Sequence, residues 1–178
     1  DDFNKEALIY QLPKINISFK FNEALGFAEV YLNEENIENQ IRTLEVSSFV
    51  SKVATVSEVR EQLVKQQQKM GENKGVVMDG RDIGTVVFPD AELKIFMTAS
   101  AETRAKRRFE ELIERGDEVI YEDVLKNVQE RDYIDSNRKD SPLVKADDAI
   151  EIDNSNLSLQ EQFDKILQLT KMTIEDLE

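Results

Sequence analysis

Asp79, Gly80, Arg81 and Asp82 follow the short apolar run Val76, Val77 and Met78, so a strand-like segment ends on two carboxylates that bracket a glycine and an arginine. At the carboxyl ends of strands in a parallel α/β sheet, where ligands bind, such a group can meet a phosphate and its magnesium. Asp79 can hold that metal directly or through water, or simply cap the turn after the strand. Two carboxylates beside one arginine need further partners, which a phosphorylated ligand and its metal would supply. Two more basic groups follow. Arg104, Arg107 and Arg108 lie in T-A-S-A-E-T-R-A-K-R-R, with Arg104 and Arg108 four apart on one helical face. They read either as a solvated face paired with Glu110, Glu111 and Glu114 or as a local field for a triphosphate. Arg131, Asp135 and Arg138 occur in E-R-D-Y-I-D-S-N-R-K-D. Arg131 and Asp135 fit a helix ion pair, and arginine is also the residue for bidentate phosphate contacts. Three such groups at three loop ends point to phosphoryl transfer, where positioning and charge stabilisation carry most of the rate.

The composition narrows the chemistry further. The 178 residues contain no cysteine and no histidine, which removes disulfides, thiolate or imidazole zinc sites, cysteine nucleophiles and histidine-based triads. A magnesium site of carboxylate, water and substrate phosphates stays open. A net charge of -14 argues against general DNA or RNA binding, which needs a basic footprint. No apolar run approaches the roughly 18 residues of a membrane span, so neither a membrane span nor a signal peptide is expected, and the expected location is cytoplasmic without a membrane partner. The start, Asp1-Asp2-Phe3-Asn4, reads as an internal point of a longer protein.

The elements that must carry these groups can be read from hydrophobic period. Residues 1–14 are weakly helical until Pro13. Ile15, Ile17, Phe19 and Phe21 then alternate with polar residues, as in a half-buried antiparallel strand. A turn at 22–26, a returning strand at 27–32, a second turn at 33–36 and a short strand at Ile37 complete a meander. Residues 44–70 read as two helices, with Thr55 and Glu58 forming a capping box. Gly71 and Gly75 bound a break. Strands are expected at 76–78, 93–97 and 149–152, with helices at 101–115, 121–131 and 159–171. Ser136-Asn137 is expected to interrupt the helix before Arg138, and Ser158 with Glu161 to cap the last helix. Strands separated by helices indicate a covered parallel sheet.

D-G-R-D-I-G-T-V-V-F-P-D-A, followed by L-K-I-F-M-T-A-S and E-T-R-A-K-R-R-F-E-E-L, resembles the bacterial cytidylate kinases, which phosphorylate CMP and dCMP with ATP. The likeness extends back through I-R-T at 41–43 and V-S-K-V-A at 50–54, and forward through residues 131–138 and Ser141-Pro142-Leu143. It implies an α/β fold of the nucleoside-monophosphate-kinase type, a parallel sheet with helices on both faces. Residues 1–70 would be the monophosphate-binding region, with an antiparallel insert at about 15–38 and helices at about 44–70. Residues 71–178 would be the remaining core, with the lid at about 103–140. Ser51 and Asp135 would face the ribose, and Arg60 and Asp82 would favour cytosine over uracil. Arg42, Arg81, Arg131 and Arg138 would surround the acceptor and transferred phosphates, and Asp79 would approach Mg2+ and its waters. Arg104, Arg107 and Arg108 would belong to the lid over ATP. The partners implied are CMP or dCMP and Mg-ATP.

The chain departs from this pattern in one large respect. The family opens with a strand leading into G-x-x-x-x-G-K-[ST], whose amides and lysine cradle the donor phosphates, and no such run occurs here. Residues 71–75 precede a strand and lack the spacing. The family's sheet order, 2-3-1-4-5, would then leave 76–78 and 93–97 flanking an empty place. The expectation is closure of those two strands on each other, or pairing with another copy or the absent segment. The whole enzyme is expected to be monomeric and the isolated chain to associate or rearrange, without kinase activity. Two rival readings stand beside the kinase: a metal-dependent phosphohydrolase using Asp79, and a non-catalytic nucleotide-binding or assembly module.

Overall fold

The computed structural model describes residues 3–177. The chain divides into two compact units, the first running to Gln66 and the second starting at Gln67.

In the first unit, helix α1 (Lys5–Gln11) starts because Asn4 Oδ1 accepts the Ala7 N–H at 2.9 Å. Pro13 converts its continuation into a 3-10 turn, Leu12–Lys14. Strands β1 (Ile17–Asn22), β2 (Phe27–Leu32) and β3 (Glu35–Asn36) form an antiparallel sheet in the order β1-β2-β3. The register sets Ile17 opposite Leu32, Phe19 opposite Val30 and Phe21 opposite Ala28, so the alternating apolar residues share one face. That face is wetter than the alternation suggests, since Phe19 and Phe21 remain exposed. The last strand forms at Glu35–Asn36 rather than at Ile37, whose N–H still reaches the Val30 carbonyl at 3.0 Å. A 3-10 turn at Gln40–Arg42 leads into α2 (Leu44–Val53), capped by Thr43 Oγ1 accepting from the Val46 N–H. Helix α3 (Ser57–Met70) follows without the expected Thr55 box, because the Thr55 hydroxyl donates back to the Lys52 carbonyl at 2.8 Å. Leu12, Val56 and Val59 are the buried core, with Leu8, Ile9, Ile15, Val53 and Leu63 packed around it.

The second unit holds a two-stranded parallel pair, β4 (Ile95–Thr98) and β5 (Ile150–Asp153), in register Ile95 to Ile150 and Thr98 to Asp153. Helix α4 (Ala101–Glu114) begins where Ser100 Oγ accepts the Thr103 N–H. It ends at Gly116, whose φ of +86° is the left-handed geometry that glycine adopts without strain. Helix α5 (Tyr121–Asn137) lies on α4 through a seam of fully buried Ala105, Leu112 and Val124, flanked by Phe109, Tyr121, Leu125 and Val128. Helix α6 (Leu159–Leu177) starts with the expected box: Ser158 Oγ accepts the Glu161 N–H while the Glu161 carboxylate accepts the Ser158 N–H. The architecture is α/β, with parallel strands flanked by helices and an antiparallel insert.

Two further expectations need correction. Residues 76–78 form no strand, and Val76 and Val77 are exposed. A strand exists only with neighbours to satisfy its amides and carbonyls, and no segment among the described residues pairs with this one. The expected closure of 76–78 on 93–97 therefore does not occur, and β4 pairs with β5 instead. Helix α5 also runs through Ser136 and Asn137 rather than stopping near Arg131. The Asn137 Nδ2 donates to the Tyr133 carbonyl one turn back, so this polar pair is absorbed by the helix it was expected to break.

Candidate active site

Helix α5 turns residues 131 and 135 onto one face by its period, since they are four apart, and Arg138 follows directly after its last residue, Asn137, held back on Asp135 by its Nη1. The residues before α4 supply the opposing wall. Gly80 is needed there, because a Cβ at this position would sit 2.9 Å from Ile83 Cγ1. Directly after Asp82, residues Ile83–Val87 form a π turn in which the Asp82 carbonyl accepts from both Val86 and Val87 N–H groups. Such turns are rare and recur at functional sites. This one fixes the backbone that carries Arg81 and Asp82.

These two walls meet around Asp135. Its Oδ2 accepts from Arg81 Nε at 3.0 Å and its Oδ1 from Arg138 Nη1 at 3.2 Å. Arg138 Nη2 lies 3.9 Å from Asp82 Oδ1, and Arg138 Nε donates to the Ser141 carbonyl at 2.8 Å. Asp82, Asp135 and Arg138 are 7%, 4% and 8% exposed, depths at which charged side chains persist only when paired. Leu143 N–H donates to the Asp135 carbonyl at 2.7 Å and ties the Ser141-Pro142 loop back onto α5. Arg131 is half-buried beside them. Burial holds its pKa below the usual arginine range and the Arg81 charge adds to this, while Asp135 and Asp132 oppose it. The result is a knot of three arginines and two carboxylates, drawn from segments more than fifty residues apart. It has more positive than negative charge, and Arg131 has the least comfortable cation in it.

The sequence profile of the cytidylate kinase family matches residues 1–172. The chain is 75% identical over 169 residues to the cytidylate kinase of Flavobacterium johnsoniae, covering 95% of this chain and 74% of that protein. It is 66% identical over 169 residues to that of Flavobacterium psychrophilum, covering 95% and 75%. With that of Phocaeicola vulgatus it shares 59% over 157 residues, covering 88% and 69%. The chain belongs to the cytidylate kinase family. It is thereby a nucleoside monophosphate kinase, a phosphotransferase, by class.

The other residues that the likeness to cytidylate kinases singled out are distributed differently. Arg104 forms a bidentate pair with Asp132, with Nη1–Oδ1 at 2.9 Å and Nη2–Oδ2 at 2.6 Å, and its Nε donates to the Ala99 carbonyl. Arg107 donates to both the side chain and the carbonyl of Asn154, in the loop after β5. Arg108 pairs with Glu111 on its own helix at 2.9 Å. These three do not converge. Asp79 is exposed at the end of residues 76–78. In the first unit, Arg42 Nε donates to Glu38 Oε1 at 2.8 Å, and Glu38 is buried with its other oxygen accepting the Val30 N–H. Ser51 is fully buried on α2, and its Oγ has no hydrogen-bond partner among the described residues. Arg60 is half-buried on α3.

Three participants escaped sequence reasoning. Asp132 was passed over beside Arg131, although Arg104 lies on a neighbouring helix and needed a carboxylate. Glu38 stood four residues before Arg42, the spacing of a helix ion pair, and could have been found from that alone. The π turn at Ile83–Val87 left no signal beyond Gly84.

Proposed function

We propose that this chain carries the acceptor half of a CMP or dCMP phosphorylation site, in which the γ-phosphoryl of Mg-ATP passes directly to the 5′ phosphate without a covalent enzyme intermediate. The observation that supports it best is the gathering of Arg81, Arg131 and Arg138 around buried Asp135, with buried Asp82 beside Arg138. Phosphoryl transfer asks a protein chiefly for positioned positive charge, and a dianionic phosphate arriving beside Arg131 would offset the desolvation of its cation. In this reading Arg81, Arg131 and Arg138 neutralise charge as it spreads over the transferred group. Asp135 and Ser51 turn toward the ribose, Arg60 and Asp82 discriminate cytosine from uracil, and Arg42 meets the acceptor phosphate. Arg104, Arg107 and Arg108 serve the donor side. The enzyme acts as a monomer in the cytoplasm.

Magnesium fits this site as a substrate-borne ion. It commonly binds through one or two carboxylates, water and substrate phosphates rather than in a protein cage. Among the described residues no group of three or more metal-ligating side chains stands ready to cage a cation. Exposed Asp79 is the carboxylate that would hold the Mg2+ waters, and the ion would supply charge neutralisation to the triphosphate. The same absence of a carboxylate cluster disfavours a metal-dependent phosphohydrolase.

Because the 178 residues contain no G-x-x-x-x-G-K-[ST] run, the isolated polypeptide should show no turnover of ATP and CMP. Titration with CMP tests the acceptor reading directly. Weak saturable binding, abolished by Arg131→Ala and stronger for CMP than for UMP, is expected. Equal affinity for CMP, UMP and inorganic phosphate would overturn the assignment, and substantial turnover in a coupled assay would overturn the claim of inactivity.

A further inference from the structure

The α4–α5 seam ends abruptly. From Tyr121 to Val128 the side chains of α5 in the seam are mainly apolar, packed on Phe109 and on buried Ala105 and Leu112, with the Tyr121 hydroxyl donating to the Glu102 carbonyl and Asn127 buried among them. One turn beyond Val128, at the spacing that keeps the same face, stands Asp132, and its partner on α4 is Arg104. The last contact of the seam is thus a bidentate charge pair, placed between an apolar core and the arginine knot.

Its geometry limits how α5 can turn. Two parallel N–H···O bonds fix orientation as well as distance. A third bond, from Arg104 Nε to the Ala99 carbonyl at 3.1 Å, ties that guanidinium to the backbone at the end of β4. A helix held at position 132 has its rotation about its own axis set, and with it the direction of residues 131, 135 and 138. The packed apolar seam holds the two helices together, and the fork at its end adds a directional contact beside residues 131, 135 and 138.

We propose that Asp132 is a positioning residue: through its bidentate pair with Arg104 it fixes the rotation of α5 and so presents Arg131, Asp135 and Arg138 to Arg81 and Asp82. Its charge also stands near the desolvated Arg131 guanidinium, whose cationic form it favours. The role rests on reading that knot as the acceptor site, but its structural part can be measured without any ligand.

The test uses this 178-residue chain with 15N-labelled arginine. In Asp132→Asn, the Nε–H resonances of Arg81, Arg131 and Arg138 should move, while the urea midpoint changes little. CMP affinity should fall about tenfold, a scale in keeping with a small misplacement of binding groups. The exchanged pair Arg104→Asp with Asp132→Arg should bring both readouts back toward the parent. If Asp132→Asn does not fold, Arg104→Lys carries the same test, since a lysine keeps the charge and loses the fork. Unmoved Arg131 and Arg138 resonances in a folded variant would overturn the proposal. So would moved resonances in Asp132→Asn that the exchanged pair fails to restore. Should the parent chain not bind CMP while those resonances still move and are restored, the positioning role stands and the substrate reading falls.

Discussion

Two sets of three arginines occupy the second unit, and they are used in opposite ways. Arg81 and Arg138 share the buried Asp135, Arg138 also approaches Asp82, and Arg131 lies within the field of Asp135. Arg104, Arg107 and Arg108 sit within five residues of one another on α4, yet each takes a different partner: Asp132, Asn154 and Glu111. Closeness in sequence therefore says little about convergence in space. The α4 set staples α4 to α5, to the loop after β5 and to itself, which is the pattern of a framework. The knot gathers three cations, one buried, one half-buried and one more open, around two buried carboxylates, which is the pattern of a site rather than a staple. If the α4 arginines also serve a donor triphosphate, they must exchange these partners for it.

Asp135→Ala is expected to separate the two sets most sharply. It would leave Arg138, 3% exposed in its side chain, and Arg81 without their shared carboxylate. Breaking a buried pair from one side costs roughly 3 to 5 kcal/mol. Chemical denaturation should show a loss of this order. A loss below about 1 kcal/mol, the exposed-pair scale, would mean that the knot is no tighter than the α4 set.

Arg131→Met should part stability from binding. Burial and the neighbouring Arg81 already disfavour the Arg131 cation, and its aliphatic stem can be replaced by methionine. Stability should change by less than about 1 kcal/mol, since apolar replacement of a buried charge is often neutral or favourable. CMP binding should nevertheless be lost. The same substitution at Arg104 takes the bidentate partner from Asp132, so it should lower CMP affinity about tenfold, as a small misplacement of binding groups does, rather than abolish it.

The contrast also shows what the sequence makes legible. Periodicity located α2 to α4 closely and the starts of α5 and α6 at Tyr121 and Leu159, since amphipathic spacing is a local property, but both helices run on to Asn137 and Leu177, past the expected ends at 131 and 171. Arg131, Asp135 and Arg138 could be grouped because they lie within eight residues of one another. The meeting of Arg81 with Asp135 spans 54 positions and has no local signature; their chemistry suits both to one phosphate site, but nothing in the residues pairs them. Residues 76–78 failed for the complementary reason. Their apolar β-branched composition suits a strand, but a strand is a relation between segments, and composition cannot supply the partner. Arg107 shows the same limit from another side, for nothing in A-K-R-R announces that Asn154, 47 residues on, will take its guanidinium.

Single members of the α4 set should yield small effects. Arg107→Ala removes two exposed hydrogen bonds to Asn154 and should lower stability by about 1 kcal/mol. Arg108→Ala removes an intrahelical pair and should cost only about 0.3 kcal/mol. A loss in Arg108→Ala as large as that in Asp135→Ala would refute the distinction between framework and knot.

The smallest contrast lies in pH. Hydrogen bonds from Ser158 hold the Glu161 carboxyl below its ordinary range, bonds to Ser155 do so for Asp153, and the Lys94 ammonium does so for Asp148. A carboxyl whose folded pKa is depressed binds protons more readily when unfolded. Its contribution is therefore complete above the unfolded value and is lost as pH falls through the folded one. All three groups are open to solvent, so each should contribute modestly, and thermal midpoints should be flat near neutrality and decline as acid enters the carboxylate range. Glu161→Gln should flatten that decline slightly, because its amide can still accept the Ser158 hydroxyl but no longer titrates. A decline that instead begins at neutral pH would require a titrating group there, and this chain, without histidine, has no side chain that ordinarily titrates in that range.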